Sequence, residues 1–244
     1  LLARDDYPPE DGGSYVANAR RKAAFGRLHA APDEWAVGED SGVEATALAK
    51  AAAWLQHEDA SKADECRAAA AALSARLDAF WLEREGFYSS RLSGDPSKYL
   101  DISVIFAVIH ADDEGPLHTL RDVRILATMR KLEELFDRLY PINHGRPRRR
   151  APALGRDASD IYFSGGAYYF ATLAAAEFYF RRAAESTGAL ARGYFTQGDA
   201  FLATVRVFTP ESGELSEQFD RTDGRQTSAR KLAWSYAAFI TAVR

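Results

Sequence analysis

Cysteine and methionine are almost absent from this 244-residue chain, which has one of each, Cys66 and Met129. A single cysteine excludes an intrachain disulfide scaffold but does not fix the redox compartment. Set among alanines, Cys66 is expected to be a small buried thiol. No apolar run approaches the ~20 residues that a membrane-spanning helix needs, so no membrane partner is expected. A basic excess is missing too: 31 Lys and Arg against 35 Asp and Glu leave a net charge of −4 and a pI near 5.8. That balance gives no general attraction to nucleic acid. The local exception is Arg146 to Arg150, interrupted by Pro147, which reads as a solvated loop ahead of a binding patch. His29, His57, His110, His118 and His144 show no ligand spacing, so no metal is expected. Ser164-Gly165-Gly166 lacks the surrounding pattern of a phosphate loop, and Ser216 and Ser235 have no accompanying histidine for a hydrolase triad. The opening Leu1-Leu2-Ala3-Arg4-Asp5-Asp6 carries neither an initiator methionine nor the character of a secretory signal. The expectation is that a leader has been removed or that the chain is part of a longer protein.

What is present is an ordinary globular composition, 47% hydrophobic and 27% charged. Aromatic residues make up 12%, enough to build a core and also to line a carbohydrate site. Pro8-Pro9, Gly12-Gly13, Pro32 and the Gly38 to Gly42 stretch make residues 1–42 an irregular lead-in. From residue 43 onward helical patterns dominate. Alanine-rich helices are expected over 43–56 and 61–82, with Leu73, Leu77, Phe80 and Trp81 forming an apolar stripe. Gly86-Phe87-Tyr88 marks a loop or short hairpin, and residues 100–109 suit a buried helix. Leu120 to Tyr140 is amphipathic and stopped by Pro141, with Glu133-Glu134 expected on its solvated face. Further helices are expected over 166–186, 190–208 and 228–243, the last with Ser228 as its N-cap. The fold class is therefore all-α, built from helical hairpins joined by loops of alternating length.

Three segments could carry chemistry. The loop Thr209 to Thr227 holds Glu211, Glu214, Glu217, Asp220 and Asp223 between two helices. Glu217 lies between Leu215 and Phe219 and beside Gln218, a setting in which a carboxylate can be tuned as a general base. Acids in a loop also serve as solvated surface or helix caps, and the residues alone favour that reading. The second segment, Ala153 to Phe170, holds Arg156, Asp157, Asp160 and a cluster of tyrosines at the entrance to the aromatic helix expected from Gly166. Arginine offers a rigid fork of donors to hydroxyls or carboxylates, and aromatic faces stack on sugar rings. An Arg156–Asp160 ion pair at a helix entrance is the simpler alternative. The third, Glu39-Asp40, could supply a general acid or cap the following helix.

At these motifs the sequence resembles the glucoamylases, the fifteenth family of glycoside hydrolases. The most specific stretch is Gly213-Glu-Leu-Ser-Glu217-Gln218-Phe219-Asp220-Arg221, followed by Leu232-Ala-Trp234-Ser-Tyr236-Ala-Ala. Ala153-Leu-Gly-Arg156, Asp160-Ile-Tyr162 and Gly166 to Glu177 add a second match, and a looser one runs from Trp54 to Tyr140. The resemblance implies a six-hairpin α/α toroid, incomplete at its N-terminal side, with residues 43–244 forming its catalytic region. It implies release of glucose from non-reducing ends of α-1,4-glucans, with inversion. Glu217 would be the catalytic base and Glu39 the acid, while Arg156, Asp160, Tyr168 and Gln218 would bind substrate. Tyr168 stands where many relatives carry a tryptophan. No cofactor is implied, the partner would be an α-glucan or maltooligosaccharide, and the protein is expected to be a monomer that is secreted or periplasmic. An inactive carbohydrate-binding or interaction module on the same fold is the alternative.

Overall fold

The computed structural model describes residues 41–111 and 118–244, which lie in one packed unit, Gly38–Arg244. Among the described residues are seven α-helices and two small sheets. The helices are α1 (Ser41–Leu55), α2 (Ala60–Leu77), α3 (Ser103–Ala111), α4 (Val123–Leu139), α5 (Tyr169–Ala184), α6 (Gly188–Phe208) and α7 (Ala233–Val243). Two-residue strands β1 (Trp81–Leu82) and β2 (Phe87–Tyr88) pair as the hairpin expected around Gly86. The strands β3 (Ala167–Tyr168), β4 (Gln218–Phe219) and β5 (Gln226–Thr227) form an antiparallel sheet in that order.

The odd-numbered helices make a continuous row: α1 packs on α3, α3 on α5, and α5 on α7. The even-numbered α2 and α6 lie against α1 and α5 as the second arms of hairpins. This alternation is the layering of an α/α toroid, as the sequence leads one to expect. Alanine makes the first hairpin possible. The buried positions of α2 are Ala63 and Ala70, two turns apart, and Ala52 of α1 is likewise buried. Small side chains on facing turns let the helix backbones approach closely. Cys66, on the same helix, is half-buried and not in the core.

Helix α5 is the centre of the unit. Every residue from Tyr169 through Tyr179 is buried, because α3, α6 and α7 cover different faces of it. A helix covered in this way carries no polar face, which accounts for its run of aromatics and alanines. Helix α4 begins at the N-cap Asp122, whose carboxylate accepts the Arg124 backbone N–H at 2.8 Å, and ends at Tyr140 before Pro141. Its buried stripe is Ile125, Leu126, Met129, Leu132 and Phe136, the amphipathic spacing read from the sequence.

One residue of α4 departs from that reading. Glu133, expected on a solvated face, is covered where α5 and α6 close over the helix. The Tyr179 hydroxyl donates to one carboxylate oxygen, and the Gln197 amide donates to the other at 2.8 Å. Burial outweighs these bonds and the positive charges of Arg130 and Arg146, pushing the Glu133 carboxyl up to about 7 from its ordinary 4.5. The folded protein therefore holds a proton that the unfolded chain gives up above pH 4.5. Stability linked to this group is complete below pH 4.5 and is lost as pH rises to about 7. Glu133→Gln should remove that loss, stabilising the fold at pH 8 by up to roughly 3 kcal/mol relative to the parent while changing it little at pH 4. Denaturant melts at the two pH values measure the difference, and equal shifts at both would rule out the linkage.

Candidate active site

The three-stranded sheet brings together three segments distant in sequence. Ala167 pairs with Phe219 and Tyr168 with Gln218, while Gln218 and Phe219 pair with Thr227 and Gln226. Glu217 lies one residue before β4 and is gripped by its backbone from both sides. Its carbonyl accepts the Tyr169 N–H at 3.2 Å, and its own N–H donates to the Ala229 carbonyl at 2.8 Å. Its carboxylate accepts the hydroxyl of Ser228. Ser228 has φ of 65°, a left-handed conformation unfavourable for a residue with a Cβ. That conformation, imposed by the sheet and the following turn, aims the hydroxyl at the carboxylate. Ser228 is thus not the N-cap of the last helix, which starts later, with Leu232 in that position.

The other acids of this loop have plain structural duties. Glu214 pairs with Lys231 at 2.7 Å, and Asp220 accepts the Thr222 N–H at 2.6 Å to close a turn. Asp223 pairs with Arg225 at 2.7 Å, and Glu211 is exposed. Glu217 alone is half-buried with a single hydroxyl as its side-chain partner.

The Arg156–Tyr168 segment reaches the same place. The Arg156 carbonyl accepts the Ile102 N–H at 3.0 Å, tying the segment to the start of α3. Asp160 accepts the Tyr162 N–H at 2.9 Å with one oxygen and the Tyr168 hydroxyl at 2.8 Å with the other. Phe163, Ser164 and Gly165 then follow with φ of 45°, 68° and 63°, three left-handed residues in succession. The turn folds so tightly that a Cβ on Gly165 would overlap the Asp160 carbonyl oxygen, and one on Gly166 would lie 2.8 Å from the Phe219 carbonyl. Only glycine fits both. Ile161, Tyr162 and Phe163 are left exposed beside this turn.

The electrostatics join these groups. Burial, the Asp160 bond and charge, and the Glu217 charge raise the Tyr168 phenol above its ordinary range, opposed by Arg156. Tyr168 thus stays a neutral donor. Partial burial pulls the Arg156 guanidinium down, but Asp160, Tyr168, Asp101 and Asp157 together outweigh it and hold the pKa up. Arg156 is exposed and, among the described residues, makes no side-chain hydrogen bond or ion pair, so the simple Arg156–Asp160 pair is not formed. Its fork is available to a ligand.

Four of the six residues singled out from sequence, Glu217, Arg156, Asp160 and Tyr168, are therefore electrostatically coupled to one another through Tyr168, whose side chain is fully buried. Gln218 is adjacent in sequence but fully buried, with its amide donating to the Tyr162 carbonyl at 3.3 Å and its Oε1 unpartnered against Gly166. Glu39 lies outside the described residues. Sequence reasoning missed Ser228 in this role, and the only available signal was its position in the segment after Gln226-Thr227. No cluster of three or more His, Cys, Asp or Glu suited to a metal occurs among the described residues.

Aromatic rings line up beside this place. Phe170 of α5 stacks on Trp234 of α7 with centroids 4.0 Å apart and planes 3° from parallel, and Phe106 of α3 leans on both. Tyr168 lies 4.9 Å from Phe170.

Known proteins resemble this chain in sequence and in fold. Residues 13–244 match the family described as glycosyl hydrolases family 15. Glucoamylase 1 of Rhizopus oryzae is 27% identical over 99% of this chain and 50% of that protein. The glucoamylase of Saccharomycopsis fibuligera superposes with a TM-score of 0.77 at 20% identity, over 84% of this chain and 54% of that one. The family 15 glucoamylase of Hypocrea jecorina superposes with a TM-score of 0.74 at 24% identity, over 84% of this chain and 41% of its own. The chain spans about half the length of these relatives. Their fold, shared here, is the α/α toroid of helical hairpins. The chain belongs to family 15 of the glycosyl hydrolases.

Proposed function

We propose that the protein hydrolyses α-1,4-glucans, releasing glucose from their non-reducing ends with inversion at the anomeric carbon. One observation carries the reading: Glu217, set apart from every other acid of its loop, lies close enough for its charge to act on Tyr168, whose hydroxyl bonds Asp160 beside the unpaired Arg156 fork. In this reading residues 43–244 belong to the catalytic toroid and residues 1–42 lead into it. The names of the relatives, all glucoamylases, point to the same substrate class.

The chemistry follows from the groups. Arg156 and Asp160 hold hydroxyls of the terminal sugar, the guanidinium donating and the carboxylate accepting. Tyr168, fully buried beneath the site, spends its proton on Asp160 and holds that carboxylate in place for the sugar. Gln218 keeps the Tyr162 turn in place behind them. Glu217 accepts a proton from a water molecule as that water attacks the anomeric carbon. Ser228 fixes the rotamer of the carboxylate, which leaves one oxygen free to receive the proton. Glu39 is the proposed acid that protonates the leaving oxygen from the opposite side. Inverting pairs stand ~6.5–9.5 Å apart, leaving room for the water. The partner is a maltooligosaccharide or starch, and the protein acts as a monomer.

The test is glucose release from maltose, maltotriose and soluble starch, with the anomer formed followed by proton NMR. Glu217→Gln should lower kcat by about 10²–10⁴-fold, the usual contribution of a general base, with little change in KM. Undiminished turnover in that variant would remove Glu217 from the reaction. Ser228→Ala deletes one charge-assisted hydrogen bond and should lower kcat by about 10-fold to 100-fold. Arg156→Lys loses the fork and should act on kcat/KM by a similar factor. The second reading is a carbohydrate-binding or interaction module without turnover on the same fold. Saturable maltooligosaccharide binding with no glucose released would establish it.

A further inference from the structure

The connection between α4 and β3 concentrates positive charge in an otherwise acidic chain. Pro147 to Arg150 close a tight turn, the Arg150 N–H donating to the Pro147 carbonyl at 2.9 Å. Folding Arg146-Pro147-Arg148-Arg149-Arg150 into this turn gathers guanidinium groups that would otherwise spread into solvent.

Their roles differ. Arg146 is structural: it pairs with Asp137, donates to the Asn143 carbonyl at 3.1 Å and donates through Nε to the Arg150 carbonyl at 2.9 Å. Arg150 lies with its guanidinium carbon 5.7 Å from the centre of the Phe208 ring, and its Nε is buried with no partner. A buried donor left unpaired is costly and uncommon in a folded protein. Arg148 is exposed at the rim. A cleft of about 680 Å³ opens here, lined by Asp137, His144, Arg146, Arg148 and Arg150 among others. Three guanidinium groups thus share one carboxylate, and Arg146 already occupies it. Burial first, then the charges of Arg146 and Arg149, hold the Arg150 pKa below the usual arginine value, so the positive charge is disfavoured as the cleft stands. A solvated loop, the reading from sequence, accounts for Arg148 but not for the buried Nε of Arg150.

We propose that this cleft binds a phosphate dianion, either free or carried as an ester on a small, sugar-sized molecule. Two guanidinium groups without a carboxylate, Arg148 and Arg150, match the double charge of phosphate, and their forks suit its tetrahedral oxygens. The space exceeds that of the ion, so an esterified group fits as well. None of the lining residues belongs to the Glu217 site, and the proposal stands whether or not the chain hydrolyses glucans.

Isothermal titration of the 244-residue chain with inorganic phosphate and with glucose 6-phosphate, each against sodium chloride of matched ionic strength, tests it. The expected result is saturable one-to-one binding that weakens about tenfold or more in Arg150→Gln and in Arg148→Gln. Tighter binding of glucose 6-phosphate assigns the site to an ester, and equal or weaker binding assigns it to the free ion. Heats no greater than those of sodium chloride overturn the proposal. So does an unchanged affinity in Arg148→Gln, whose side chain holds no part of the fold and whose folding is checked by circular dichroism. Should Arg150→Gln fail to fold, Arg148→Gln decides alone.

Discussion

The peptide of Glu217 is held on one side by the Tyr169 N–H and on the other by the Ala229 carbonyl. These two bonds join the first residue of α5 to the turn that precedes α7, and position 217 is the bridge between them. Around it the remaining ties converge. The Leu232 N–H donates to the Leu215 carbonyl at 3.0 Å, the Ser235 hydroxyl donates to the Ser216 carbonyl at 2.8 Å, and the Tyr236 hydroxyl accepts the Leu215 N–H at 3.0 Å. The start of α7 thus grips residues 215 and 216, while the start of α5 grips 217. A carboxylate in a long loop would lose its position to conformational entropy. Here the loop is stitched to the ends of two packed helices, so the side chain inherits their rigidity.

That stitching explains where strain collects. Phe163, Ser164, Ser228 and Lys231 all have left-handed φ values without being glycine, and all lie in segments flanking β3, β4 and β5. Each such residue costs on the order of 1–3 kcal/mol. The fold sustains them because the segments are short and fixed by the sheet and by the starts of α5 and α7. At Ser228 the strained backbone has a visible return, the hydroxyl bond to Glu217. At Phe163 it leaves an aromatic ring exposed against Tyr162, with centroids 4.8 Å apart.

Much of this was legible along the chain, for a physical reason. Helix α4 announces itself because its N-cap, its apolar stripe and its proline stop all lie within twenty-odd consecutive residues, and local rules read such signals well. Glu217 and Arg156 stand in continuous motifs that resemble a known family, so neither had to be found by geometry. What was not legible depends on partners far away. Glu133 looks solvated because helical periodicity describes one buried face, and α4 is covered on a second by Tyr179 and Gln197, 46 and 64 residues on. Ser228 looks like a cap because a serine before a helix usually is one. Its true duty follows from a positive φ that no local signal encodes. The free fork of Arg156 was equally hidden, since an aspartate four residues away suggests a pair, whereas in the fold Asp160 accepts from Tyr162 and Tyr168 instead.

The aromatic rings take the argument one step further, from position to cohesion. Phe106, Phe170 and Trp234 come from α3, α5 and α7, three consecutive members of the row of odd-numbered helices, and meet face to face or at a tilt. Small residues could also have filled that space, but alanines in contact do not fix the rotation of one helix on another, whereas two rings in parallel contact do. Turning α7 about its axis would separate Trp234 from Phe170 and draw Ser235 and Tyr236, its sequence neighbours, away from residues 215 and 216. The stacked rings and the hydrogen-bonded clamp are therefore two sides of a single constraint. The aromatic richness of the sequence thus serves the core directly, and through the clamp on residues 215 and 216 it bears on the position of Glu217.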